Sequence, residues 1–250
     1  MKKTGLAVLG MVVAVFVAGC GSTGTVSPAP TSTPTSQATS AKDSKASIDP
    51  KTVDYSKVDY TVAYAEMFAD EFGGGGCTIC DPISCADILG KRNYKKFSEP
   101  YLEYLIEGLT QTLGKKPGIH ICGKTSPLWD DMLKLKVASF SVDNMEDLAA
   151  ARDKMGPVFG LVGNVAPVDV MLNGSIDDVI ETCKQCIIKG SEAENGYTLG
   201  TGCQVPIGTP RENFDAFIYA ARKYGRGARK GMLPLGIAEE ALYDVVNNKA

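Results

Sequence analysis

GIHICGKT, residues 118–125, admits two readings, and each implies a different protein. As G-x-x-x-x-G-K-T it matches a phosphate-binding loop, which requires a buried strand before the first glycine and a helix opening at the Lys-Thr pair. As a strand it sets His120 and Cys122 two residues apart, so that an imidazole and a thiol point to one face. The flanks decide. Before Gly118 stands Leu113-Gly114-Lys115-Lys116-Pro117, a helix end and a polar turn, and Pro127 follows two residues after Thr125. Ile119 to Cys122 alternates apolar with chemical side chains and is itself the strand. The phosphate-loop match is a coincidence of Gly118 and Lys124.

Outward from this strand, helical and strand-like periodicities alternate. The pattern predicts helices at 58–72, 97–113, 127–135, 145–155, 175–189, 210–224 and 237–246. Strands are predicted at 77–80, 119–122, 137–142, 158–162 and 197–201. Ser175 reads as a helix N-cap with Asp177 and Asp178 in the first turn, and Thr209 as a cap before Pro210. Five strands alternating with helices imply an α/β fold whose parallel sheet is built of βα units. In a βα barrel the loops after the strands line one working face. Asp81, the Cys122-Gly123-Lys124 loop, Asp143, Asn164 and Cys203 all fall at or just after strands.

The whole chain has 250 residues, 44% of them hydrophobic, and a formal net charge of −3. With no basic excess, nothing points to nucleic acid. Residues 1–20 have the form of a bacterial lipoprotein signal: Lys2 and Lys3, an apolar run too short to span a bilayer, then Val17-Ala18-Gly19-Cys20. This segment resembles a lipobox, which implies lipidation at Cys20 and an exported protein anchored to the bacterial cell membrane. Residues 21–53 are rich in Ser, Thr and Pro and read as a disordered, flexible tether. Residues 54–250 are long enough for one domain with its own core.

Besides Cys20 there are seven cysteines, an odd number that argues against a simple disulfide framework in an exported chain. Cys77 and Cys80, three apart on a strand, point to opposite faces, so core packing or a second thiol near the pocket is expected of them. Cys183 and Cys186, one turn apart in a helix, read as buried small hydrophobes. His120 is the one histidine of the chain, and a lone histidine is more often a hydrogen-bonded core residue than a ligand. Cys203, after another strand, changes the balance. One imidazole and two thiolates make a three-ligand set with an open fourth position, the catalytic kind of zinc site.

His120-Ile121-Cys122-Gly123, Gly163-Asn164-Val165-Ala166-Pro167, and Gly200-Thr201-Gly202-Cys203-Gln204-Val205-Pro206 with Thr209-Pro210-Arg211-Glu212-Asn213 together resemble the uroporphyrinogen decarboxylase superfamily. Within it they are most similar to the zinc-dependent methylcobamide:coenzyme M methyltransferases. The resemblance implies a (β/α)8 TIM-type barrel, present here in part as about five βα units behind the tether. It implies zinc on His120, Cys122 and Cys203, a corrinoid or corrinoid protein as methyl donor or ligand, and a small thiol as acceptor. Asp81, Asp143 and Asn164 match pocket positions of the family, with structural capping an equal reading for the two acids. The N-terminal units, with the decarboxylase's arginine-rich motif and catalytic aspartate, have no counterpart. The expected function is therefore membrane-tethered, zinc-dependent methyl transfer between a corrinoid and a thiol. The alternatives are a non-catalytic corrinoid- or metal-binding lipoprotein and an inactive fragment of a family enzyme. Two open sheet edges lead us to expect a second copy or another protein to cover them.

Overall fold

The structure is a computed structural model that describes residues 12–14, 60–72 and 76–247. The tether and most of the signal segment lie outside the described residues. Five parallel strands form the frame: β2 (Thr78–Asp81), β3 (Gly118–Ile121), β4 (Ser139–Ser141), β5 (Gly160–Val165) and β6 (Tyr197–Thr201). They are hydrogen-bonded in sequence order. A three-residue strand, β1 (Val12–Ala14), from within the apolar run, pairs antiparallel with β2. β1 therefore lies along one of the two edges expected to be open. β6 ends the sheet, paired with β5 alone among the described residues.

The sequence forms this sheet because its strands are short apolar runs bounded by turn residues. Ile79, Ile119, Phe140 and Leu161 occupy one register row and are all at most 1% exposed. They belong to the core built with Leu102, Leu105, Met132 and Val179 of the helical layer, and burial of each such side chain contributes about 1.5–3 kcal/mol. The alternate row runs Cys80, His120, Ser141, Val162, Thr198 across β2 to β6. Apart from His120 these residues are half-buried or exposed. They form the concave inner face, opposite the helices.

The helices are α1 (Tyr60–Phe72), α2 (Gly90–Phe97), α3 (Glu99–Leu113), α4 (Trp129–Met132), α5 (Leu148–Met155), α6 (Ile176–Gly190), α7 (Arg211–Tyr224) and α8 (Leu235–Asn247). Among the described residues no helix is long and apolar enough to cross a membrane. Ser175 caps α6 as expected, in a full capping box with Asp178. Two expectations fail locally, and one helix was not foreseen. Thr209 does not cap α7, because its hydroxyl donates to the Pro206 carbonyl (2.9 Å) within the preceding turn. The helix expected at 127–135 is a short 3-10 turn, Ser126–Leu128, continued by the four residues of α4. α2, strongly polar and lysine-rich, carries too few apolar residues to announce itself by periodicity.

α2 is held by Tyr94, fully buried in the core, and by charge. The Asp131 side chain in α4 is 6% exposed and meets Lys95 at 3.0 Å, Lys134 at 3.2 Å and Lys91 at 3.5 Å. The Lys95 hydrogen bond, ahead of Lys134 and the lysine charges, holds its carboxyl below the usual aspartate range. A depressed carboxylate stabilises the fold fully above the unfolded pKa of about 3.9 and loses that contribution as pH falls through the folded value. The lysines are half exposed, so the effect is modest. Asp131→Asn is expected to cost about 1 kcal/mol at pH 7 in urea unfolding, with the gap to wild type closing in acid. An equal gap at pH 7 and at pH 2 would remove the ion cluster from the account.

Candidate metal centre

His120 leaves β3 on the concave face, and Cys122 follows on the same side just past the strand end. The His120 Nε2 to Cys122 Sγ distance is 3.2 Å. Cys203, two residues beyond β6, brings its Sγ to 3.5 Å from that of Cys122. The three donor atoms all lie within 4.8 Å of one another. Two glycines make this convergence sterically feasible. Gly123 has φ +79° and turns the chain immediately after Cys122. Gly202 is packed so closely on Asn144 that a Cβ would overlap the Asn144 backbone nitrogen. Only a residue without a side chain lets the β6 exit approach the β4 exit and carry Cys203 over the site.

The imidazole is aimed by its other nitrogen. Nδ1 lies 3.1 Å from Ser141 Oγ and 3.3 Å from the Ser141 carbonyl oxygen. A carbonyl can only accept, which places the proton on Nδ1 and turns the Nε2 lone pair toward the thiols. Burial lowers the His120 pKa, partly offset by Ser141 and by the charge of Asp143, which favours the neutral ring that binds metals. Burial, then the Cys203 thiol, pushes the Cys122 pKa up to about 12. The Cys122 thiol thus stays protonated until a cation compensates the negative charge. For a tetrahedral ion with Zn–S of about 2.3 Å and Zn–N of about 2.1 Å, ligand atoms stand about 3.6–3.8 Å apart. The two short edges observed need only a few tenths of an ångström of spreading to meet this, so the donor set fits a soft divalent metal.

Asp143 and Asn164 sit beside this centre, whereas Asp81 lies on the opposite, core-packed side of β2; all three commit polar atoms to the loops. Asp81 accepts from the backbone N–H groups of Ile83 and Ser84 (3.1 Å each) and from the Ser84 hydroxyl, in a buried cluster with Ser98. Asp143 accepts from the Gly123 N–H (2.8 Å) and the Met145 N–H (2.9 Å). Asn164 donates from Nδ2 to the carbonyls of Asp143 (3.1 Å) and Glu146 (2.9 Å). Sequence reasoning missed Glu146, whose Oε1 accepts from the Thr125 and Ser126 N–H groups. It also missed Ser141, Gly202 and their partners, since these act through cross-strand register that no single segment reveals. Of the other cysteines, Cys77, Cys85, Cys183 and Cys186 are buried, and Cys80 is half-buried. Burial raises the pKa values of Cys77, Cys183 and Cys186, as for small core residues.

Residues 56–224 match the family model for uroporphyrinogen decarboxylase (URO-D). The methylcobamide:CoM methyltransferase MtbA of Methanosarcina acetivorans is 29% identical over 166 residues, 66% of this chain and 47% of that protein. The chloroplastic uroporphyrinogen decarboxylase 2 of Arabidopsis thaliana is 29% identical over 162 residues, 65% of this chain and 39% of that one. A solved methyltransferase from Methanosarcina mazei superposes with a TM-score of 0.57 at 23% identity, over 66% of this chain and 47% of the other, which establishes the shared fold. The chain spans about half the length of the curated relatives it matches. With its parallel βα sheet and this match over most of the folded part, the chain belongs to the uroporphyrinogen decarboxylase (URO-D) family.

Proposed function

We propose that this chain is a membrane-tethered, zinc-dependent methyltransferase-like protein that passes a methyl group between a corrinoid and a small thiol. One observation carries the reading: His120, Cys122 and Cys203, from two strands far apart in sequence, direct three soft donor atoms at one point. The methylcobamide:CoM methyltransferases among its relatives supply the reaction class. His120 Nε2 and the two Sγ atoms would hold the ion. Bound there, zinc supplies positive charge that favours the thiolate form of a substrate thiol. The protein's own part is to fix these donors. Ser141 sets the imidazole tautomer, and the Asp143–Gly123 bond holds the Cys122 exit in place.

A second reading is that the pocket binds metal or corrinoid without turnover, either as a binding lipoprotein or as an inactive family fragment. Purified full-length protein should contain stoichiometric zinc, with His120→Ala and Cys203→Ala losing it. Gly202→Ala should weaken zinc retention about 10-fold or more by displacing Cys203. Zinc content unchanged in all three variants would refute the site. The zinc-loaded protein should also demethylate methylcobalamin in the presence of a small thiol, followed by its absorbance. Tight corrinoid binding without demethylation would select the second reading.

Two further parts of the proposal concern assembly. Cys20 would carry the lipid anchor on the outer side of the bacterial membrane, so Cys20→Ser should shift the chain from the membrane to the soluble fraction. Unchanged partitioning would remove the anchor. A second copy or a partner protein would cover the β6 edge, beside which runs a groove lined by Tyr197, Thr198, Leu199 and Lys230. Light scattering after sizing should give a mass above that of one chain, and a monodisperse monomer would count against the self-pairing.

A further inference from the structure

The sheet register adds a residue to the centre that neither the family model nor the relatives' names assign. Cys80 is the direct cross-strand partner of His120. Paired residues of parallel strands share a face, and neighbouring strands run about 4.8 Å apart. Cys80 therefore projects onto the concave side next to the imidazole, while its neighbours Ile79 and Asp81 are buried on the other side of the strand. It also differs from Cys77 and Cys85, which are 6% and 3% exposed, in being only half-buried. Cys203 reaches the centre from the β6 side and Cys80 flanks it from the β2 side, so thiols stand on both sides of the His120–Cys122 pair.

We propose that Cys80 is the resting fourth ligand of this centre, occupying the position that an incoming thiol must take. The inference rests on the metal-site reading above. The Cys80 sulfur stands outside the group of atoms within 4.8 Å of one another, so as the fourth ligand it would have to move in toward the other three. With it, one imidazole and three thiolates close the coordination shell, the pattern of a structural zinc site. Without it, the fourth position is open. Exchange is balanced in protons: the incoming thiol gives up the proton that the Cys80 sulfur takes as it leaves. The chain thereby guards a soft metal against adventitious ligands and admits only a thiol able to compete with its own.

Full-length protein prepared anaerobically with reduced thiols and loaded with Co(II) tests this. Thiolate-to-cobalt charge-transfer intensity reports the number of bound sulfurs independently of turnover. Wild type is expected to show the intensity of three thiolates and Cys80→Ser that of two, with zinc retention about 10-fold weaker. Added small thiol should restore the third thiolate to Cys80→Ser at lower concentration than it perturbs wild type. Identical spectra and zinc retention in the two proteins would overturn the role of Cys80 while leaving the three-residue centre intact. Wild-type-like cobalt spectra in His120→Ala and Cys203→Ala would instead overturn the centre, and this inference with it. Alkylation requires no variant: zinc should protect Cys80 in the folded wild type, and equal labelling with and without zinc would also refute the assignment.

Discussion

The side chain of Asn164 holds the working end of this sheet together. From β5 it donates to two carbonyls of the β4 exit loop, those of Asp143 and Glu146. The same two residues then use their carboxylates on the β3 exit, Asp143 at Gly123 and Glu146 at Thr125 and Ser126. Three successive strand ends are thus tied in series by bonds between side chains and backbone. Each buried carboxylate accepts from N–H groups that would otherwise lack partners, so burying these acids does not leave an uncompensated charge. The bond from Asp143 thereby fixes the Gly123 turn immediately after Cys122.

The sheet and the centre divide the labour between its two rows of side chains. Stability comes from the row of Ile79, Ile119, Phe140 and Leu161 against the helices, where close packing makes every methylene count. Chemistry comes from the other row, where His120 and Cys80 are register partners and Ser141 sets the imidazole. The arrangement resembles half of a barrel interior, and the chain's match to about half of its relatives' length is consistent with that shape.

Much of this was legible before any coordinates. The five strands, the Ser175 N-cap and the pairing of His120 with Cys122 follow from periodicity, cap residues and two-residue spacing, which are local properties. Cys203 was recognisable because a thiol after a strand is chemically unusual and the surrounding motif is distinctive. What stayed hidden depends on register. Ser141 is an ordinary serine until β4 is laid beside β3, and Glu146 is an ordinary acid until its loop is set against Thr125. Thr209 misled because a threonine before proline suits both a helix cap and a turn, and the local sequence does not say which backbone group its hydroxyl will meet. α2 escaped notice because it is only eight residues long and, apart from Tyr94 and Phe97, almost wholly polar.

The separation of the two rows has an evolutionary consequence. Substitutions on the concave face, at positions such as Ser139, Val162 or Thr198, touch little of the packed core, so the surroundings of the centre can drift while the scaffold persists. Gly202 is the exception, since its lack of a side chain is what admits Cys203. A lineage that kept this domain but lost its chemistry would be expected to show change there first, with the helical layer still intact.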